Sequence, residues 1–415
     1  MRDRALQAVY QQALDPVAET LADPDSYGFR KARGCADALE QCFCLLARRS
    51  APQWVLEGDI EACFDRIDHD WLVQHVPLTR SPLRAWLKAG YLERHVLHPT
   101  HEGTPQGGII SPVLANLALD GLEAELAAAF PPHRKPEQNP KVHLVRYADD
   151  FVVTGNTREL LETQVRPRVE AFLAQRGLRL SPQKTVITHI RDGFDFLGQN
   201  VRKYPHRRHG EDQGKLLIKP APERVRLFLE DLRKFVKGHK QAETAWLIRK
   251  LNEKIRGWAN YHRHAVSQAT FGRVDAQLFR LLWQWARRRH PKKSRAWVRN
   301  HYFTTHGGNH WVFFGIEAGR RGEARRVTLY AASRTRIMRH VKVRRAVNPY
   351  DPQWRPYLEE RQRKLALRSR STAGSWDHPA RETAAQLHSL AREESPSGPP
   401  DNSAGPRPSR GVRRA

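Results

Sequence analysis

The sequence predicts an α+β fold: an antiparallel sheet flanked by helices, followed by a helical unit and a loose tail. Three observations predict it. Two short apolar runs, His143–Arg146 and Phe151–Val153, flank an Asp-Asp pair as the arms of a β-hairpin flank its turn. Further along, apolar residues recur at the i, i+3, i+4 spacing of helices with one buried face. From about Ser369 the chain is rich in Ser, Pro, Gly, Arg and Glu with few large apolar residues, a composition that does not pack.

In chain order, the first element that bears on chemistry is Trp54-Val-Leu-Glu-Gly-Asp59, a strand-like run ending on a carboxylate. Glu102–Asn116 follows as a Gly- and Pro-punctuated loop running directly into an amphipathic helix marked by Val113, Leu114, Leu117 and Leu122. A glycine loop at a helix N-terminus lets backbone N–H groups approach a phosphate or nucleotide. Then comes the hairpin, whose turn carries Asp149 and Asp150. Neighbouring carboxylates repel and raise one another's pKa, so the hairpin gains nothing from them unless a divalent cation neutralises both. Asp59, Asp149 and Asp150 would together form a three-acid cluster for two Mg²⁺ ions about 3.5–4 Å apart, the layout used for in-line phosphoryl transfer. Alone, the Asp-Asp dipeptide fits a solvated hairpin tip at least as well; its context favours the metal reading.

The helical unit follows. Val225, Phe228, Leu229, Leu232 and Val236 mark one helix, and Val274, Leu278, Leu281, Leu282 and Trp285 a second, which Arg287-Arg-Arg-His-Pro-Lys-Lys293 closes at Pro291. The formal charge is +27, and its distribution says more than its size. Between Arg202 and Arg345 stand 36 Lys or Arg against 10 Asp or Glu, so nearly all of the surplus lies there. A polyanion is the natural partner of such a surface. Six of the 11 tryptophans lie in the same region, where rings beside arginines either pack helices or stack on unpaired bases. Asn348–Trp354 reads as a turn-rich connector. No apolar run approaches membrane-spanning length, and the charged start lacks a signal-peptide core. The four cysteines, Cys35, Cys42, Cys44 and Cys63, lack zinc-ligand spacing and read as buried free thiols of a cytoplasmic protein.

Together, the Asp59 strand, the Glu102–Asn116 loop and the Tyr147-Ala-Asp-Asp150 hairpin resemble a reverse transcriptase of the bacterial group II intron type. Tyr27–Leu39 resembles that family's segment before the first catalytic strand. Leu180–Thr185 and Phe194-Asp-Phe-Leu-Gly198 resemble the two motifs that follow the hairpin, and Ile255-Arg-Gly-Trp-Ala-Asn-Tyr-His262 the centre of the maturase region. The resemblance implies a polymerase palm followed by a thumb and maturase region. It implies Asp59 and Asp149 as principal Mg²⁺ ligands, Asp150 supporting the second ion and the Ile60 carbonyl completing a shell. Phe64 would exclude a 2′-hydroxyl, although core packing explains it too. Gln106 and Gly107 would touch the incoming nucleotide, and Phe196, Leu197 and Gly198 would form a primer grip. Lys184 would act on the leaving pyrophosphate, unless it is a solvated surface lysine. Arg287, Arg288, Arg289, Lys292 and Lys293 are the expected RNA-binding cluster.

The expected domains are 1–201 (partial fingers and palm), 202–300 (thumb and maturase region), 301–360 (a basic extension, with a DNA-binding remnant as one reading) and 361–415 (a disordered tail). Two departures from the family stand out. No cysteine follows Cys63, so the paired-cysteine endonuclease module of many relatives is not expected. Asp3–Gln7 resembles the end of the family's first block, so the fingers are expected to be incomplete and polymerase activity of this chain low. The leading function is RNA-directed DNA polymerisation on an RNA template and DNA primer with deoxynucleoside triphosphates, joined to intron RNA binding and splicing. The alternatives are an RNA-binding maturase or mobile-element remnant with an inactive polymerase, and a reverse transcriptase domesticated for host defence.

Overall fold

Strand β1 (Trp54–Asp59) is the centre of the molecule's main sheet, and its sequence explains why. In the computed structural model both of its faces are covered. Leu56 faces one core with Phe151 and Val153, and Val55 faces another with Val145 and Val152. Gly58 is required between them, because a β-carbon there would lie 2.1 Å from the Phe151 ring. The structure describes residues 2–370 except 94–95, 99–101, 105–107, 136–137, 207–209, 307 and 319–323.

Before β1 come helices α1 (Arg2–Leu21) and α2 (Cys35–Leu46). After it run α3 (Cys63–Arg66), α4 (His69–His75), α5 (Arg80–Leu87), the small hairpin β2 (Tyr91–Glu93) and β3 (Val96–His98), α6 (Ser111–Leu119) and α7 (Leu122–Ala129). The acid hairpin is β4 (His143–Tyr147) and β5 (Asp150–Gly155). Helix α8 (Arg158–Leu160) passes through a π turn into α9 (Arg166–Ala174), and β6 (Val186–His189) returns to the sheet. The sheet order is β4-β5-β1-β6, every pair antiparallel. Helices α1, α6 and α9 cover one face through Leu14, Val113, Leu114, Val169 and Phe172. Helix α2 covers part of the other through Leu39, Cys42 and Leu46.

The single amphipathic helix expected from Val113 to Leu122 is two helices. Gly121 at φ +98° breaks it, in a conformation that favours glycine. The break turns Asp120 towards the fully buried Arg146, which also bonds the Asn116 side chain at 3.3 Å and the Ala148 carbonyl at 3.4 Å. Arg146 thus neutralises a buried carboxylate and steadies the acid turn at once.

A second sheet, β7 (Phe194–Phe196), β8 (Gln199–His206) and β9 (Gly210–Pro220), leads into α10 (Pro222–Gly238), α11 (Thr244–His262) and α12 (Gln268–Arg289). These three helices bury the stripes read from the sequence, Val225, Leu232 and Val236 on α10 and Val274, Leu278, Leu282 and Trp285 on α12. Helix α13 (Arg295–Tyr302) and the sheet β10 (Phe303–His306), β11 (Asn309–Ala318) and β12 (Ala324–Thr328) add Phe303 and Phe313 to that same core. The expected boundary at 300 therefore cuts one packed body, since the apolar faces of α12 and of this sheet need each other.

Beyond it, residues 337–361 cross back onto the first sheet's helices. Asp37 of α2, 2% exposed, accepts bonds from the Val343 N–H (2.7 Å), His340 Nε2 (2.9 Å) and the Arg361 guanidinium (2.7 Å). Arg361 lies on α14 (Arg355–Arg370), so the tail boundary expected at 361 falls inside a helix, where burying Arg361 against Asp37 orders the chain. Residues 371–415 lie outside the described residues. Cys42 and Cys63 are buried as expected, but Cys35 is half-buried and Cys44 is exposed on the outer face of α2. Among the described residues no helix is long and apolar enough to cross a membrane.

Arg146→Ala should lower folding stability by about 3–5 kcal/mol in urea denaturation, because it leaves Asp120 buried without its counter-charge. Arg158→Ala, which opens the exposed Arg158–Glu162 pair, should leave the midpoint where it was. Equal effects of the two would show that Arg146 does not hold the acid turn.

Candidate active site

The hairpin turn is Ala148-Asp149, with Tyr147 paired to Asp150 across it. Ala148 takes φ +56°, a left-handed conformation that a two-residue turn demands and a β-carbon resists. Gly28 makes room for it, since a β-carbon on Gly28 would lie 2.3 Å from the Ala148 nitrogen. The segment around Gly28 is fixed to β4 by the Tyr27 N–H to the Arg146 carbonyl (2.9 Å) and the Arg146 N–H to the Asp25 carbonyl (3.0 Å).

On its other side Asp150 pairs in register with Asp59, the last residue of β1. Directly opposed residues share a face of a pleated sheet, so two carboxylates project side by side, an arrangement that destabilises the pair. The Lys184 ammonium lies 3.4 Å from Asp59 and is largely exposed. Ile60 bridges Leu180 through bonds made by its neighbours, Ser181 N–H to the Asp59 carbonyl (2.8 Å) and Glu61 N–H to the Arg179 carbonyl (3.0 Å). That bridge does not use the Ile60 carbonyl. Asp59, Asp150 and Lys184 line a cleft of about 490 Å³, together with Glu57, Asp195, the Phe196–Gly198 turn and Arg224.

The donors in this cleft are oxygens, the set that a hard divalent cation prefers. Among the described residues, no three His, Cys, Asp or Glu side chains close into a metal-ligating cluster. Asp149 sits half-buried in the turn, one residue from the paired acids. Three acids of the cleft escaped the sequence reading, Glu57, Asp195 and Glu223. Glu57 stands two residues before Asp59, the period of a strand face, and that spacing was a usable signal. Burial pushes its carboxyl up, while the Thr188 hydroxyl donates to it at 2.7 Å. Asp195 carried no comparable signal, because only the folding of β7 beside β1 brings it here.

The Phe196–Gly198 turn is held from the helical unit. Leu197 at φ +49° and Gly198 at φ +70° form a tight two-residue turn. The Tyr261 hydroxyl donates to the Leu197 carbonyl at 2.7 Å, and the Ala221 N–H to the Gly198 carbonyl at 3.1 Å. Next to Tyr261, His262 is buried and meets the Gln199 amide at 2.6 Å through Nδ1. Burial and the neighbouring His264 push its imidazole down to about 3, so it is neutral and accepts from Gln199. Tyr147 of the acid hairpin and Tyr261 of α11 meet at the Cys35 sulfur, whose thiol burial pushes up.

Other expected residues lie elsewhere. Phe64 packs against the main core with its ring edge-on to Phe29, 6.1 Å between centroids, and does not line the acid cleft. Gln106 and Gly107 lie outside the described residues. The loop that leads to them is latched to α3, Gly103 N–H to the Ile67 carbonyl (2.8 Å) and Thr104 N–H to the Phe64 carbonyl (2.5 Å). Of the basic cluster, Arg287, Arg288, Lys292 and Lys293 are exposed, and Arg289 is half-buried. Arg289 instead donates to the Ala242 carbonyl at 2.5 Å and covers the Trp285 ring, and the Lys293 ammonium lies 5.5 Å from the Trp297 ring.

Residues 1–201 match the reverse transcriptase (RNA-dependent DNA polymerase) family, and residues 225–303 the group II intron, maturase-specific domain. The group II intron-encoded protein LtrA of Lactococcus lactis subsp. cremoris is 26% identical over 346 residues, 63% of this chain and 56% of that protein. Protein YkfC of Escherichia coli is 31% identical over 51% of this chain and 63% of its own. A 91 kDa protein in the cob intron of Schizosaccharomyces pombe is 27% identical over 65% of this chain and 42% of its own. The chain thus spans about half the length of the curated relatives it matches. Telomerase from Candida albicans superposes at a TM-score of 0.36 with 12% identity, over 71% of this chain and 56% of that one, too loosely to argue from.

The buried histidines make stability pH-dependent. An unfolded imidazole titrates near 6.5, whereas His262 in the fold titrates near 3 and His264, lowered chiefly by burial, near 4. Between those values the unfolded chain binds more protons, so stability is full above about pH 7 and falls as the pH drops through 6.5. Each histidine should cost about 2 kcal/mol by pH 5, read as a lower urea midpoint, and a His262→Gln/His264→Gln chain should show a flatter profile. An unchanged slope in that variant would show that these rings are not buried neutral.

Proposed function

We propose that this chain, which joins a reverse transcriptase domain to a group II intron maturase-specific domain, copies RNA into DNA at the Asp59–Asp150 cleft and holds intron RNA through its basic helical region, serving splicing and mobility. The observation that carries the reading is the in-register pairing of Asp59 with Asp150, beside Lys184 and beneath the turn that Tyr261 holds. Two opposed carboxylates at the end of a buried strand pair are a stability cost that cation binding would offset.

Reverse transcriptases work with divalent metal ions; here two Mg²⁺ ions would be held by Asp59, Asp149, Asp150 and the Ile60 carbonyl, activating the attacking and leaving oxygens of phosphoryl transfer. The chain's own residues do the rest. Lys184, 3.4 Å from Asp59, would screen negative charge as pyrophosphate leaves. The Phe196-Leu197-Gly198 turn, fixed by Tyr261 and Gln199–His262, would seat the primer end against the acids. Gln106 and Gly107 would touch the incoming deoxynucleoside triphosphate, approached through the loop latched to α3, while Phe64 keeps its core packing against Phe29. Arg287, Arg288, Lys292 and Lys293 would remain for RNA phosphates, while Arg289 braces the end of α12 through the Ala242 carbonyl and the Trp285 ring.

The basic surplus, most of which lies outside the acid cleft, fits a second reading as well, RNA binding with an inactive polymerase. Primer extension on an RNA template separates the two. The first reading predicts extension that Asp59→Asn or Asp149→Asn abolishes without altering RNA affinity. RNA binding with no extension by the unsubstituted chain would leave the second reading. Neutralising Arg287, Arg288 and Lys292 should weaken RNA binding and reduce the slope of log affinity against log salt by about three phosphates' worth. An unaltered slope would remove this helix end from the RNA surface.

A further inference from the structure

Outside the acid cleft, α12, β10 and β11 bring four aromatic rings together. Phe303 is buried and forms the floor, 5.5 Å from Phe279, 5.5 Å from Trp283 and 6.1 Å from Trp311. Above it Trp283 and Trp311 lie 5.9 Å apart. Phe279 and Trp311 are 37% and 45% exposed, an unusual fate for rings that ordinarily carry the largest burial gain.

The backbone makes this exposure specific. Trp311 sits at φ +63°, in the left-handed region that a bulky side chain occupies only under strain. The pairing of β10 with β11 shifts register between Thr304 and His306, and a bulge of this kind re-aims a neighbouring side chain. A strained residue whose large ring is nonetheless turned to solvent calls for a ligand.

The charges around the rings say which ligand. The Arg299 guanidinium lies 5.7 Å from the Trp311 ring. Arg287, exposed, follows Trp283 by one helical turn and Phe279 by two, so ring, ring and cation form one stripe along α12. The acid on that stripe, Asp275, is occupied by the Ala332 and Ser333 N–H groups at 2.7 and 2.9 Å. Aromatic faces flanked by cations complement an unpaired nucleobase and its phosphates; an apolar protein surface would leave those arginines desolvated and unpaired.

We propose that Trp311, Phe279 and Trp283 form a stacking platform for an unpaired base of RNA, with Arg287 and Arg299 engaging the phosphates on either side. The proposal rests on the RNA-binding reading above and adds to it a distinction between looped and paired RNA. Base stacking on an aromatic ring is blind to sequence but requires an exposed base face, which a duplex withholds.

The test uses the whole chain with two RNAs of equal length, a hairpin with an unpaired loop and a fully paired duplex. Trp311→Gly is the suitable deletion, because glycine removes the ring and accepts the left-handed backbone. It should weaken hairpin binding on the order of tenfold and leave duplex binding and the salt slope unchanged, whereas Trp311→Phe should keep most of the affinity. Hairpin binding equal to that of the unsubstituted chain would overturn the platform while leaving RNA binding intact. So would an equal loss on both RNAs, or a changed oligomeric state with RNA affinity untouched, which would assign the ring to a protein contact. Failure of the unsubstituted chain to bind either RNA would overturn the RNA-binding reading itself.

Discussion

Two like charges held directly opposite one another, Asp59 and Asp150, are the constraint around which the first domain is built. Nothing in the strand pair rewards that opposition, so everything beside it must enforce the register. Leu56, Phe151 and Val153 bury one face against helices, and a slip of one residue would turn them onto the other covered face, where Val55, Val145 and Val152 already pack. Gly58 admits the Phe151 ring, Gly28 admits the strained Ala148, and buried Arg146 ties the hairpin to α6 through Asn116 and Asp120. The acids are therefore placed by apolar packing and by one buried ion pair, not by attraction to each other.

The second half of the chain completes the cleft. Helix α11 packs its apolar face into the helical core, yet its last turn carries Tyr261 and His262 to the Leu197–Gly198 turn. Cys35 joins Tyr261 to Tyr147 of the acid hairpin. The matched maturase-specific segment thus holds a wall of the cleft whose floor belongs to the matched reverse transcriptase segment. The strap from 337 to 361 closes the same two parts a second time, through Asp37 with His340 and Arg361.

Much of this was legible in the sequence where the signal was local. The acid hairpin announced itself through apolar arms and a two-residue turn, and α10 and α12 through helical periodicity. Glu57 shared the period-two face of Asp59 and was overlooked. The helix break at Gly121 was signalled by the glycine, but its reason, the Asp120–Arg146 pair, joins residues far apart in the chain. Asp195, Tyr261 and the strap were illegible for the same cause: their roles exist only after distant elements pack. The basic cluster showed the opposite failure. Its composition promised five equivalent cations, and packing withdrew Arg289 onto the Trp285 ring and the Ala242 carbonyl.

The central claim is that the enforced pairing of Asp59 and Asp150 exists to hold divalent cations. Mn²⁺ binding to the whole chain, followed by the loss of the free-ion signal in electron paramagnetic resonance, tests it without requiring catalysis. The account predicts that the unsubstituted chain takes up Mn²⁺ and that Asp59→Asn and Asp150→Asn each weaken uptake by an order of magnitude or more, roughly the loss of one charged ligand. Uptake undiminished in both variants would contradict it and leave the paired acids without a purpose in the fold.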